Sequence, residues 1–193
     1  MGADIGVLAL QGDVSEHVLA FRTALGRDGG HVRELRHAKE IGTVDAIALP
    51  GGESTTIARL IDKNRMREAL QTFEGGIFAT CAGMVLVAKR VVDDERFEPL
   101  GIVDIEVGRN AFGRQKDSFE ADLSIRGLTR PFHAVFIRAP VGRRAGSRAE
   151  VLAEIDRGFV AVRQGRHLAF AFHPELSGDL RLHKLFLAGL GNP

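Results

Sequence analysis

The sequence holds a single cysteine, and its neighbours fit a nucleophile. Cys81 lies in Ile77-Phe78-Ala79-Thr80-Cys81-Ala82-Gly83-Met84-Val85-Leu86-Val87-Ala88. An apolar run leads in, small residues flank the thiol, and a helix-like apolar run leads out. The pattern reads as strand, sharp turn and helix, with the thiol at the turn. Far downstream comes Phe172-His173-Pro174-Glu175. A histidine with a carboxylate two positions on can supply a base and the partner that orients it. Together the two segments point to thiol-dependent acyl transfer. Each has a plainer reading alone: a small buried hydrophobe for the cysteine, a strand-end histidine beside a solvated glutamate for the pair.

Two further segments carry candidate chemistry. Pro50-Gly51-Gly52-Glu53-Ser54 follows an apolar run and opens a helix. Paired glycines let backbone N–H groups turn toward a developing negative oxygen, or toward a phosphate. The pattern G-x-x-x-x-G-K-[ST] is missing, which argues against a P-loop. As a simple strand-to-helix turn, the segment would use Ser54 or Thr55 as its cap. Arg109-Asn110-Ala111-Phe112-Gly113-Arg114-Gln115 is a polar inter-strand loop whose arginine could hold a substrate carboxylate or merely be solvated. His17, His31, His37, His133, His167 and His183 show no metal-ligand spacing and read as structural or surface residues.

The elements that must position these groups alternate over the first half. Ile5 to Leu10 reads as a strand. Asp13-Val14-Ser15-Glu16 reads as a capped helix start leading to about Leu25. Strands at Val32 to Leu35, Ala46 to Leu49 and Ile77 to Thr80 alternate with helices from Glu53 and from about Met66 to Phe73. Such alternation predicts a parallel sheet covered on both faces. The second half reads as strands at Ile102–Val107, Phe119–Ile125, His133–Arg138, Val151–Ile155, Phe159–Arg163 and Leu168–Phe172, several of them antiparallel additions. A helix from Asp179 to Leu190 closes the chain, and the Arg- and Gly-rich segment 141–150 has no placement. The expected fold is therefore α/β: a three-layer, open, mostly parallel, flavodoxin-like sheet flanked by helices, in one domain over residues 1–193.

Bulk properties narrow the function classes. A net charge of +1 gives no field for nucleic acid or a membrane surface. One cysteine excludes an internal disulfide framework and suits a reducing, cytoplasmic setting. The apolar start has no basic flank and reads as a first strand rather than a signal peptide.

The order of Leu10-Gln11-Gly12, Leu49-Pro50-Gly51-Gly52-Glu53-Ser54-Thr55-Thr56, Thr80-Cys81-Ala82-Gly83, the Arg109 loop, Asp117-Ser118-Phe119-Glu120, Phe136-Ile137-Arg138-Ala139-Pro140 and Phe172-His173-Pro174-Glu175-Leu176 is specific. Over nearly the whole chain it resembles the class I glutamine amidotransferases, and among them the glutaminase subunits of pyridoxal 5′-phosphate synthase. The resemblance implies that Cys81 attacks the side-chain amide of L-glutamine, that His173 moves the proton and that Glu175 orients His173. It implies an oxyanion hole at Gly51-Gly52 and glutamine contacts from Gly52, Glu53, Ser54, Arg109, Ile137 and Arg138. It further implies ammonia transfer to a separate (β/α)₈-barrel synthase subunit in a hetero-oligomer that makes vitamin B6, with no cofactor or metal on this chain. The short stretch after Glu175 leaves no second domain to consume ammonia. One departure is Ala79, where the family elbow often has glycine; the backbone there must avoid φ > 0. Rival readings are a peptidase-like or γ-glutamyl hydrolase on the same scaffold, the glutaminase of another synthase, and a silent partner-binding domain.

Overall fold

The computed structural model describes residues 2–27, 29–92, 94–109 and 118–191. Residues 110–115 of the Arg109 loop, and Asp117, lie outside them. The first half alternates as its sequence requires: β1 (Ile5–Leu8), α1 (Val14–Leu25), β2 (Val32–Leu35), α2 (Ala38–Ile41), β3 (Ala46–Leu49), α3 (Ser54–Lys63), α4 (Arg67–Gln71), β4 (Gly76–Thr80) and α5 (Ala82–Val87). Every residue of β1, β3 and β4 is buried. That is the continuous apolar signature of strands covered on both faces.

The second half adds β5 (Ala88–Val92), β6 (Val103–Gly108), β7 (Ser118–Leu123), β8 (Phe132–Ile137), β9 (Val141–Ala145), β10 (Glu150–Ile155), β11 (Gly158–Gln164) and β12 (His167–Phe170). A 3₁₀ turn at Pro174–Leu176 and α6 (Arg181–Leu190) follow. Among the described residues the main sheet runs β2-β1-β3-β4-β12-β11-β9-β6-β5, with β10 on β11, while β7 and β8 form a separate hairpin. Pairing is parallel from β2 to β12 and antiparallel from β12 through β11 and β9 to β6. The last strand in the chain therefore sits at the centre, beside β4.

Helix α1 packs with α6, and α3 with α5. The layer beneath α1 and α6 is closed by Phe21, Phe78, Phe170 and Phe186, with Phe78 5.2 Å from Phe21, 5.2 Å from Phe170 and 5.3 Å from Phe186 between ring centroids. Phenylalanine fills most of this volume without a hydroxyl or indole N–H that would need a partner, and the buried ring of His183 stacks on Phe78 at 4.8 Å.

Three local expectations are corrected. The expected strands do not include β5, into which the chain turns directly after α5. Val85 and Val87 sit among apolar residues that suit a buried strand as well as a helix, so periodicity could not mark the change. Segment 141–150 is not a loop throughout, since Val141–Ala145 pairs with β6 and β11. The cap of α3 is Glu53, whose carboxylate accepts from the N–H groups of Thr55 and Thr56, rather than Ser54 or Thr55.

Gly83 lets α5 approach β3. A Cβ on it would stand 2.2 Å from the Leu49 carbonyl oxygen, a backbone atom that cannot swing away. Gly83→Ala should therefore cost about 1–3 kcal/mol, read as a lower urea midpoint at unchanged slope. An unmoved midpoint would show that α5 does not need this close approach.

Candidate active site

The elbow is built at the end of β4. Cys81 has φ +47° and ψ −104°, a left-handed conformation that a residue with a Cβ pays to adopt. Its N–H donates to the Phe170 carbonyl at 2.8 Å, tying the turn to β12. Ala79 lies in extended strand and is not among the positive-φ residues, so alanine serves there without strain. The thiol is largely buried and reaches the Ile137 carbonyl oxygen at 3.6 Å.

Because β12 pairs in parallel with β4, the residues after both strands leave the sheet at the same end. His173 arrives there, its N–H donating to the Val135 carbonyl of β8 at 2.9 Å. Its ring faces Cys81 closely enough for the thiol to favour the ring's charged form. Nδ1 stands 2.8 Å from Glu175 Oε1 and 3.2 Å from Asp13 Oδ2. With Nδ1 held by carboxylates, Nε2 is the nitrogen left for the thiol. Pro174 opens the 3₁₀ turn that folds Glu175 back beneath the ring. Thus Cys81, His173 and Glu175 come together at one end of the sheet.

The electrostatics favour an imidazolium. Burial opposes charge on His173, but the Asp13 carboxylate, the Cys81 contact and the Glu175 carboxylate outweigh it and push the ring up to about 12. Burial likewise opposes charge on Glu175. His17 and His173 outweigh it and hold this carboxyl well below the usual range. Asp13, His173 and Glu175 offer ligand atoms within 4.8 Å of one another, a spacing a metal ion could also bridge. Both carboxylates converge on one ring nitrogen, however, and a shared Nδ1 proton satisfies that geometry.

The glycine turn abuts the His173 ring. A Cβ on Gly51 would fall 2.3 Å from His173 Cε1, and the Gly51 carbonyl accepts from the Asp13 N–H at 3.2 Å. Gly12, at φ +102°, packs so closely on Gly51 that no side chain fits there. Gln11 Oε1 accepts from the Glu53 N–H at 2.9 Å. Beyond the turn, Arg109 pairs with Glu53 Oε1 at 3.0 Å and with Asp94, and lies over the Phe97 ring. Burial opposes charge on Glu53, but hydrogen bonds from Thr55 and Thr56 bring its carboxyl down to about 2. Ile137 offers its carbonyl to the thiol, while Arg138 follows at φ +45° with an exposed side chain.

The SNO glutamine amidotransferase family matches residues 7–191. The chain belongs to that family. It is 64% identical to the pyridoxal 5′-phosphate synthase subunit PdxT of Methanosphaerula palustris, over 99% of each chain. It is 61% identical to the PdxT subunit of Methanoculleus marisnigri, over 98% of this chain and 99% of that one. A solved glutamine amidotransferase at 44% identity superposes with a TM-score of 0.89, covering 97% of this chain and 98% of the other.

In this glutamine amidotransferase two site residues read differently in sequence. Asp13 looks like the cap of α1, yet its side chain makes no cap hydrogen bond and turns to His173 instead. His17 reads as a structural or surface residue, yet it is buried with Nε2 3.4 Å from Glu175. The usable signal was their four-residue spacing, which places both on one face of α1. Thr80, adjoining Cys81, also turns its hydroxyl toward Glu175 at 3.4 Å.

Two outcomes follow. Replacing alanine by glycine normally destabilises a folded chain by about 0.5–1 kcal/mol. At position 81 the order should reverse: Cys81→Gly should melt no lower than Cys81→Ala, because only glycine tolerates φ +47° without strain. A clearly lower melting temperature for Cys81→Gly would show that the elbow is unstrained. The second outcome concerns His173, whose folded-state value is raised. Its stabilising contribution is complete below its ordinary value of 6.5 and is lost as pH rises toward about 12. The stability gap between the wild type and His173→Gln should thus be widest below about pH 6.5 and narrow steadily in alkali. A gap that widens in alkali would reverse the assignment of charge.

Proposed function

We propose that this chain is the glutaminase subunit of pyridoxal 5′-phosphate synthase, with Cys81, His173 and Glu175 as its triad. The single observation that carries the reading is a buried thiol on a left-handed elbow, beside a histidine that a buried carboxylate holds by Nδ1. Sγ attacks the side-chain amide carbon of glutamine as the thiolate, its proton resting on His173. The imidazolium then protonates the amide nitrogen. Ammonia leaves, and a γ-glutamyl thioester remains on Cys81. His173, now neutral, takes a proton from water, whose hydroxide attacks the thioester. Glutamate departs and the ion pair is restored.

N–H groups at the Gly51-Gly52 turn stabilise the tetrahedral oxyanion. Arg109 and Glu53 form a cation and an anion side by side, the complement of an amino acid's carboxylate and ammonium. Gly52, Ser54, Ile137 and Arg138 complete the glutamine contacts. The ammonia passes to a (β/α)₈-barrel synthase subunit docked in the cytoplasm. Docking turns the Gly51-Gly52 peptide, which requires breaking the Asp13 N–H to Gly51 carbonyl bond.

Cys81→Ala should remove ammonia release by roughly 10⁶-fold while preserving the fold. Steady-state turnover by that variant would overturn the covalent route. Arg109→Ala should raise the KM for glutamine with little change in melting temperature; an unchanged KM in the active complex would place Arg109 outside the substrate site. The synthase subunit should raise glutaminase turnover by about 10²–10³, the worth of one oxyanion donor. Equal rates with and without it would sink the gated turn. Rapid hydrolysis of γ-glutamyl peptides in place of glutamine would favour the hydrolase reading.

A further inference from the structure

Helix α1 reaches beneath the triad with a second side chain. His17 is fully buried, its ring centroid 6.5 Å from that of Phe21 and 6.2 Å from that of Phe78. Its Nε2 stands 3.0 Å from Thr80 Oγ1 and 3.4 Å from Glu175 Oε1. Its Nδ1 has no hydrogen-bond partner among the described residues. That asymmetry fixes the tautomer. A proton on Nδ1 would be an orphaned buried donor, and it would leave an Nε2 lone pair facing a carboxylate. The proton therefore belongs on Nε2, aimed at the oxygens of Thr80 and Glu175.

Glu175 needs that donor. Its side chain is wholly buried, and Oε2 has no hydrogen-bond partner among the described residues. Oε1 is served by His173 Nδ1 at 2.8 Å and by Thr80 Oγ1 at 3.4 Å. A buried carboxylate is costly unless paired and hydrogen-bonded. During turnover His173 gives its Nε2 proton to departing ammonia, so the positive charge beside Glu175 disappears while the carboxylate stays. At that stage the remaining stabilisation must come from other donors. The titratable groups around Glu175 are His173 and Cys81 at the site, Asp13 and His17 on α1, and His183 on α6 with Asp179 beyond it. Burial pushes His183 down to about 4, so it supplies no charge near neutrality.

We propose that His17 is a positioning residue of the glutaminase, its Nε2–H keeping Glu175 ionised and aimed at His173 Nδ1 while the His173 ring is neutral. The inference rests on the triad reading above. Cys81→Ala tests that reading separately, since turnover there would overturn the triad whatever His17 does.

The test compares His17→Phe, which keeps an aromatic ring against Phe21 and Phe78 but donates nothing, with His17→Gln, whose amide can donate from nearly the same place. Both are assayed for ammonia release in the complex with the synthase subunit. His17→Phe should lower kcat by about 10–100-fold, the usual cost of losing an outer partner of a catalytic group, with the KM for glutamine unchanged. The acid limb of its pH–rate profile should move to higher pH, because Glu175 then protonates more readily. His17→Gln should recover most of kcat and return the acid limb to its wild-type position. Unchanged kcat in His17→Phe would overturn the proposal, as would equal losses in both variants with an unmoved acid limb. A third readout does not depend on either variant folding. Nitrogen-15 spectra of the wild-type imidazoles should show His17 as the Nε2–H tautomer, and an Nδ1–H tautomer would overturn the proposal.

Discussion

The parallel pairing of β4 with β12 is the interaction on which the site depends. Phe170 lies opposite Thr80, and the Phe170 carbonyl accepts the Cys81 N–H at 2.8 Å. One ladder therefore does two things. It anchors the backbone amide of a residue held at φ +47°, and it delivers the chain carrying His173 to the same end of the sheet as the thiol. An elbow strained by 1–3 kcal/mol persists only where its surroundings over-determine it. Here they comprise that bond on one side and the close seat of Gly83 on Leu49 on the other.

Charge is handled inside this frame by gathering opposite charges around one ring. Two carboxylates meet one imidazole nitrogen, Glu175 beneath it and Asp13 beside it. The less buried of the two, Asp13, also uses its backbone N–H to hold the Gly51 carbonyl. His173 and the glycine turn are thereby linked through one residue at the start of α1. The Glu175 side chain is wholly buried, so the low local dielectric strengthens each of these contacts and penalises the loss of any one.

Much of this was legible in the sequence, for identifiable reasons. The buried parallel strands announce themselves as unbroken apolar runs, and the small residues around Cys81 mark an elbow. His173 and Glu175 are close in sequence, so their partnership needs only a turn. Asp13 and His17 were harder to read. An aspartate before a helix is ordinarily its cap, and a histidine on an apolar face is ordinarily packing; what distinguishes them is a tertiary neighbour far along the chain. Strand β9 was hidden for another reason. Arg143 and Arg144 are both exposed although β9 lies between β11 and β6, so Val141–Ala145 lacks a strand's usual apolar weight. The α3 cap was misassigned because Glu53, longer than the residues usually found there, can still reach two N–H groups while its other side meets Arg109.

The position of β12 in the sheet also has a temporal meaning. On a ribosome β4 emerges about ninety residues before the strand that must lie against it. Until then one of its edges is unpaired, and a contact spanning so much chain is slow to close. Throughout that interval Cys81 has neither the carbonyl that anchors its amide nor the His173 ring that faces it in the folded chain. On the function proposed above, the nucleophile is thus assembled only when the last strand inserts. Reactivity is in that reading a property of completed synthesis, which spares the emerging chain a reactive sulfur while its core is still open.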